Sequence, residues 1–400
     1  PLVLLGDSGS GKSALLANWA EQYRKQHPDD FLLLHFIGST ADSADYVQLL
    51  RRIMEEIQAR YESKEKRTTE GQAQKFITGG QEGDEIPSES QKVVEAFPLW
   101  LAKAAAKGRL VLVLDALNQV EDRDNAADLG WLPTYFPSNC RVILSTLPGR
   151  SLDALTRRAW ETLIVQPIEV DERKLFIGEY LAQYRKTLDP AHVERIARAE
   201  QAANPLYLRT LLEELRVFGR HEALDEKIIY YLEAKAVDDL FERVLERLEA
   251  DYEREPEHQG LVKKVMTLLW ASRRGLSEAE ILDFLEQSAA VWSPLYLALE
   301  ESLVNRSGLL TFFHDFLHQA VDERYLDNQK SKREAHLELA EYFDGKALDD
   351  RKVDELPWQL RQAEHWERLK NCVTDLELFL KLNTEAKKYE LMSYWSVSYT

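Results

Sequence analysis

The chain opens on an apolar run, PLVLL, that passes directly into GDSGSGKSALLANW. Gly6, Gly11, Lys12 and Ser13 satisfy the spacing G-x-x-x-x-G-K-[ST]. The run before them reads as a buried strand, and ALLANW after them as the start of a helix. Strand, glycine-rich loop and helix in that order are the context a phosphate-binding loop requires. Glycines let the backbone curl so that its N–H groups point inward, and the new helix adds its positive end to the same spot. The expected cradle is Gly6, Asp7, Ser8, Gly9, Ser10, Gly11, Lys12, Ser13 and Ala14. Lys12 is expected to reach the β- and γ-phosphates, and Ser13 to hold Mg²⁺. A strand at the first residues followed by such a loop commits this part of the chain to an α/β sheet.

Apolar runs alternate with helical segments over the first part of the sequence. Strands are expected at Leu2–Leu5, Phe31–Ile37, Leu110–Leu114, Arg141–Ser145 and Thr162–Gln166. That alternation implies a parallel sheet with helices on both faces. A polar stretch from Glu62 to about Gln91 reads as a flexible surface insertion. From about Asp171 strand signals almost vanish. Asp171 is expected to cap a helix carrying Leu175, Phe176, Tyr180 and Leu181 at helical spacing. Further helices follow Pro190, run from Pro205 to about Phe218, and cover Asp238–Glu249. Leu261–Arg273, Ala279–Leu285 and Pro294–Leu303 make three more. Ser277 and Glu280 form a capping box for the second of these. VNRSGLLTFFHD then reads as a two-strand wing turning at Ser307-Gly308, so a winged-helix module is expected.

From about Lys332 the sequence is helical, with Tyr342, Phe343, Trp358, Trp366, Phe379 and Trp395 as packing aromatics. One or two helix pairs bury their own faces poorly. The sequence therefore reads as a piece of a longer protein that continues into helical repeats. The expected domains are 1–168, a P-loop α/β domain; 169–233, a helical domain; 234–327, a winged helix; and 328–400, a helical arm.

With 51 basic and 69 acidic residues the net charge is −18. An acidic balance of that size argues against general affinity for nucleic acid or anionic membrane, both of which need a basic surface. The expected recognition helix of a DNA-binding wing, SPLYLALEESL, carries Glu300 and Glu301 and no Lys or Arg. Two cysteines, Cys140 and Cys372, are too few for a disulfide framework and fit a reducing, cytoplasmic compartment.

LVLVLDALNQVED supplies the acid a phosphate loop needs. Its apolar run ends in Asp115, placed to orient Mg²⁺. Hydrolysis also requires a group that positions water. Ala116, Asn118 and Gln119 stand near that place, and Glu121 and Asp122 come slightly later. Neutral amides orient a water but cannot accept its proton, so turnover should be slow. RVILST ends in Ser145 and Thr146, which are expected to contact the γ-phosphate or its water. Arg150 reads equally as a γ-phosphate sensor or a solvated loop arginine. No guanine-specifying Asn-Lys-x-Asp pattern occurs, so the expected ligand is ATP or ADP with Mg²⁺.

Taken in order, GDSGSGKS, LVLVLDALNQ, RVILST, NPLYL and FFHDFLHQAV resemble the signal-transduction ATPases with numerous domains (STAND), in particular their NACHT-like branch. DLFERVLERLE, AEYFDGK and LPWQLRQAEHW add to the likeness, which spans nearly the whole chain. The resemblance implies that Pro205 lies against adenine and that His314 contacts the β-phosphate of ADP and locks a closed state. Read without it, Pro205 is a helix-start proline and His314 a satisfied histidine at the end of a wing strand. The resemblance further implies an ATP/ADP switch that self-associates as a homo-oligomer and meets a protein trigger through C-terminal repeats. The chain departs from the family at Asn118 and Gln119, where acids are frequent, and at Leu147, where arginine is frequent. A scaffold that binds nucleotide without turnover, or an initiator-type DNA-binding ATPase, are the alternatives.

Overall fold

The computed structural model describes residues 1–38, 41–69, 85–87, 89–121, 123–219, 221–286, 288–384 and 387–398. Contacts divide the chain into two units, Pro1–Pro167 and Ile168–Thr400.

In the first unit β1 (Leu2–Leu5), α1 (Lys12–Gln26), β2 (Phe31–Phe36), α2 (Tyr46–Thr69), α3 (Ser90–Lys107), β3 (Leu110–Asp115), β4 (Cys140–Thr146), α4 (Arg150–Thr156) and β5 (Glu161–Ile164) follow one another. All five expected strands form, and they pair in parallel in the order β2-β3-β4-β1-β5. Side chains alternate across a strand, so one apolar run can serve two cores. Leu110, Leu112 and Leu114 point into a core shared with Ile53, Phe97 and Leu101 of α2 and α3. Val111 and Val113 point the other way, against Leu16 and Ala20 of α1. Every position of β3 is buried.

The stretch expected to be a loop from Glu62 begins instead as helix, since the backbone of α2 continues to Thr69. Most of the rest, residues 70–84 and 88, lies outside the described residues, as does Asp122.

The second unit holds the remaining helices: α5 (Val170–Gln183), α6 (Pro190–Arg198), α7 (Pro205–Val217), α8 (Leu224–Leu232), α9 (Val237–Tyr252), α10 (Leu261–Ala271), α11 (Glu278–Leu285) and α12 (Ala289–Leu299). An antiparallel hairpin follows, β6 (Leu303–Arg306) and β7 (Leu309–Phe312), with Ser307 and Gly308 at its turn. Then come α13 (Asp315–Tyr325), α14 (Gln329–Asp344), α15 (Asp350–Gln362), α16 (Trp366–Thr374), α17 (Leu376–Leu382) and α18 (Lys388–Ser398). One continuous apolar core runs through them from Ile177 to Tyr394.

Several local expectations are corrected here. Glu169, not Asp171, caps α5, its backbone N–H bonded by the Glu172 carboxylate at 2.9 Å. Leu175, assigned to the apolar face, is 61% exposed. The helix expected to start at Pro294 starts at Ala289 and ends at Leu299. Trp292, Leu295 and Leu299 are all buried, so burial of that face carries the helix through a proline that would otherwise mark its start. Helix α8 has no counterpart in the sequence reading; its buried Ile228 and Tyr231 hold it in the core. The capping box of Ser277 and Glu280 is present.

A buried polar network ties α15 to the loop after α10. Glu355 and Gln359 are fully buried. The Gln359 amide donates to the carbonyl of Ala271 and to Glu355, each at 2.9 Å. Nδ1 of His336 lies 2.8 Å from Oε1 of Gln359. Arg351 donates to the Gly275 carbonyl (3.0 Å) and pairs with Glu280 (3.0 Å) and Glu355 (3.3 Å). Burial pushes the Glu355 carboxyl up, and Arg351 and Gln359 oppose that shift.

Candidate nucleotide site

In an open parallel sheet ligands meet the carboxyl ends of the strands. Here the order β3-β4-β1 sets the end of β3, the end of β4 and the loop after β1 side by side. The register pairs Leu5 with Thr146 and Leu4 with Ser145.

The loop after β1 is already closed on itself. Gly11 caps α1 in the left-handed region, with φ 86°. Lys12 is only 9% exposed. Its ammonium donates to the carbonyls of Gly6 and Asp7, each at 2.8 Å, and to Ser10 Oγ at 3.4 Å. Burial lowers its pKa from the ordinary lysine value, against the opposing charges of Asp115 and Asp7. A side chain at Gly6 would place its Cβ 2.8 Å from Ser10 Oγ and 3.3 Å from Val165. Ser8, Gly9 and Ser10 are partly exposed, and Asp7, Ser13 and Ala14 are exposed.

Asp115 ends β3 and is 2% exposed. The hydroxyl of Ser145, at the end of β4, donates to its Oδ1. The same hydroxyl accepts the N–H of Ala116 at 2.8 Å. Ser145 is fully buried. Thr146 donates to the Leu147 carbonyl at 3.1 Å. A γ-phosphate contact was expected of both hydroxyls; in this fold each is engaged within the protein.

Asn118 and Gln119 lie in a single 3₁₀ turn after β3, Leu117–Gln119, and both are exposed. Gln119 packs over Gly38, where its Oε1 lies 2.0 Å from the place a Cβ would take. Glu121 is exposed, its N–H bonded to the Ala44 carbonyl at 3.0 Å. Arg150 opens α4 and pairs with Asp128 at 2.9 Å. Both partners of that pair are about half exposed, so the sequence's two readings of Arg150 now meet a side chain with a carboxylate partner.

The residues present fit a magnesium–nucleotide group. Mg²⁺ takes oxygen ligands and uses few carboxylates when phosphates supply the rest. Ser13 would offer a hydroxyl and Asp115 a carboxylate, beside a cradle that a Cβ at Gly6 would crowd. Among the described residues no group of three or more His, Cys, Asp or Glu is placed to hold a metal by itself.

Pro205 and His314 belong to the second unit. Pro205 is the first residue of α7, and the Asn204 side chain caps that helix through the N–H groups of Leu206 (2.9 Å) and Tyr207 (3.3 Å). His314 precedes α13 and makes no side-chain cap. It borders a cavity of about 510 Å³ whose wall also carries Arg209, Glu213, Glu214 and Arg247. Burial and the Arg209 guanidinium lower its pKa to about 4. Its imidazole is therefore neutral near pH 7 and donates from one nitrogen.

Residues 1–144 match the AAA ATPase domain family. Nearly the whole chain, 99%, aligns at 36% identity with a TPR repeat-containing protein of Dictyostelium discoideum, covering 25% of that protein. It aligns over 99% at 26% identity with human nephrocystin-3, covering 29% of it. The chain thus spans about a quarter to a third of the length of these relatives. In fold it is similar to a STAND protein with a tetratricopeptide repeat sensor from Pyrococcus horikoshii, with TM-score 0.53 and 14% identity, covering 100% of this chain and 50% of that one. In these comparisons the chain resembles STAND-like P-loop ATPases. The strand-end acid and the lysine loop lie within the residues that carry the family match. Among the described residues no helix is long and apolar enough to cross a membrane.

Proposed function

We propose that this chain is the core of a NACHT-like ATP/ADP switch that hydrolyses ATP slowly. The observation that carries the reading is the closed loop around Lys12, with Asp115 buried at the end of β3, on the far side of β4. In this reading Lys12 exchanges its two carbonyl partners for phosphate oxygens, and Ser13 and Asp115 hold the Mg²⁺ ion. Mg²⁺, when bound, neutralises phosphate charge. Asn118 and Gln119 orient water without taking its proton, which keeps turnover low.

We assign residues 1–168 to the nucleotide domain, 169–233 to a helical domain, 234–327 to a winged helix and 328–400 to an arm. Pro205 is the adenine contact in this reading, and His314 the ADP lock. The three helices α10–α12 with their hairpin support the winged-helix assignment. The protein resides in the cytoplasm, self-associates in the ATP form, and meets a protein partner through helical repeats. It binds neither nucleic acid nor membrane. A ligand shifts such an equilibrium only by its differential affinity for the two states.

The test is the nucleotide carried by the purified protein and its turnover. ADP is expected to co-purify, and ATP hydrolysis to run well below the ~10 per second median of enzymes. Turnover at ordinary rates that Glu121→Gln abolishes would place a working base where this reading has none. No measurable turnover with retained nucleotide would favour the scaffold, a reading supported by the exposed amides of Asn118 and Gln119.

His314→Ala separates the lock from a structural histidine. Loss of one hydrogen bond to a charged group is expected to weaken ADP by about 1.5–3 kcal/mol, up to roughly a hundredfold. ATP should weaken less, and the open or oligomeric fraction should rise. Equal losses for ADP and ATP, with a lower melting temperature, would assign His314 to structure alone.

A further inference from the structure

We infer that Ser145 is a positioning residue for the metal carboxylate, not a sensor of the γ-phosphate. The inference rests on the nucleotide reading above and deepens it.

A serine hydroxyl has one hydrogen to give and two lone pairs to receive. At Ser145 the hydrogen goes to Oδ1 of Asp115. One lone pair takes the N–H of Ala116 at 2.8 Å. The side chain is fully buried. No donor remains for a phosphate oxygen unless the bond to Asp115 breaks. Leaving a buried carboxylate oxygen unpaired costs more than an exposed one can.

Both partners belong to one turn. Ala116 has φ 61°, a left-handed value that a residue with a Cβ adopts only when its surroundings hold it. Its N–H bond to Ser145 supplies such a hold. Ser145 therefore fixes the chain direction just after Asp115 and fixes one carboxylate oxygen. The other oxygen, Oδ2, is left for the hydration shell of Mg²⁺. The strand order makes this possible, because β4 lies directly beside β3 and ends level with it. Partners behind a metal ligand set its orientation, and their loss typically weakens the metal 10- to 100-fold.

The test titrates ADP into the 400-residue protein by calorimetry, at a series of Mg²⁺ concentrations and in EDTA. Ser145→Ala is expected to raise the Mg²⁺ concentration for half-maximal ADP affinity by about tenfold or more. Affinity for ADP in EDTA should stay within about twofold, and the ATP-to-ADP affinity ratio should not change. Ser145→Thr keeps the hydroxyl and should restore the wild-type Mg²⁺ requirement. If Ser145→Ala does not fold, Ser145→Cys takes its place. A thiol is a weak donor, so the same rise is expected of it.

A selective loss of ATP affinity would make Ser145 the phosphate sensor and overturn the inference. An equal loss of ADP affinity with and without Mg²⁺ would make it merely structural and overturn it too. Wild-type protein that binds no ADP at all would remove the nucleotide reading together with this one. Normal wild-type binding with an unmoved Mg²⁺ requirement in the variant removes the role of Ser145 alone.

Discussion

Lys12→Ala is expected to lower ADP affinity by roughly a hundredfold or more, a loss of about 2.7 kcal/mol or greater. The size follows from the bonds at stake. Lys12 is 9% exposed, and its ammonium already holds two carbonyls at 2.8 Å. Charge-assisted hydrogen bonds are worth about 1.5–3 kcal/mol each, and phosphate oxygens carry more charge than the carbonyls they replace. The substitution also opens the loop, because the Gly6 and Asp7 carbonyls lose their shared donor. Lys12→Met keeps most of the aliphatic stem and separates the two effects. Titration calorimetry on both variants, beside their melting temperatures without nucleotide, reads the result. Unchanged ADP affinity in Lys12→Ala would remove the site.

The second large effect concerns stability. Arg351→Met should destabilise the second unit by about 3–5 kcal/mol, the usual cost of removing one partner from a buried ion pair. Glu355 is fully buried, and Arg351 is the cation paired with it and with Glu280. The Gly275 carbonyl loses its donor in the same step. Arg333→Ala is the control. It breaks the pair with Glu364, whose two side chains are 45% and 49% exposed, and should cost within ~1 kcal/mol. Arg351→Met combined with Glu355→Leu should cost less than the two single changes added, since Glu355 is then no longer stranded, although Glu280 still loses its partner. Urea unfolding followed by tryptophan fluorescence measures all four. A loss in Arg351→Met no larger than that of Arg333→Ala would show that water reaches Glu355.

The first unit was the more legible because its signals are local. Five apolar runs bounded by polar residues gave five strands, and the spacing of Gly6, Gly11, Lys12 and Ser13 gave the loop. In the second unit the helix start at Pro205 and the cap at Ser277 could be read for the same reason, since such signals act on their own first turn. Where burial competes with a local preference, the sequence misled. Pro294 signals a start, yet Trp292 on its N-terminal side is buried within the same helix. Leu175 has helical spacing but faces water.

The five strands of the first unit, the phosphate loop and the acid at Asp115 were thus legible in the sequence, whereas α8 was not. The tertiary structure alone decided which of them meet. The order β2-β3-β4-β1-β5 carries Asp115 and Ser145 to one edge, and Ser145 there bonds to the acid rather than standing free for a phosphate. Nor does any local pattern announce that Arg351 reaches back to Gly275 and Glu280. Such pairings join residues far apart in the chain. Their free energy comes from burial and hydrogen bonding that exist only once the layers have packed, so no window of sequence contains them.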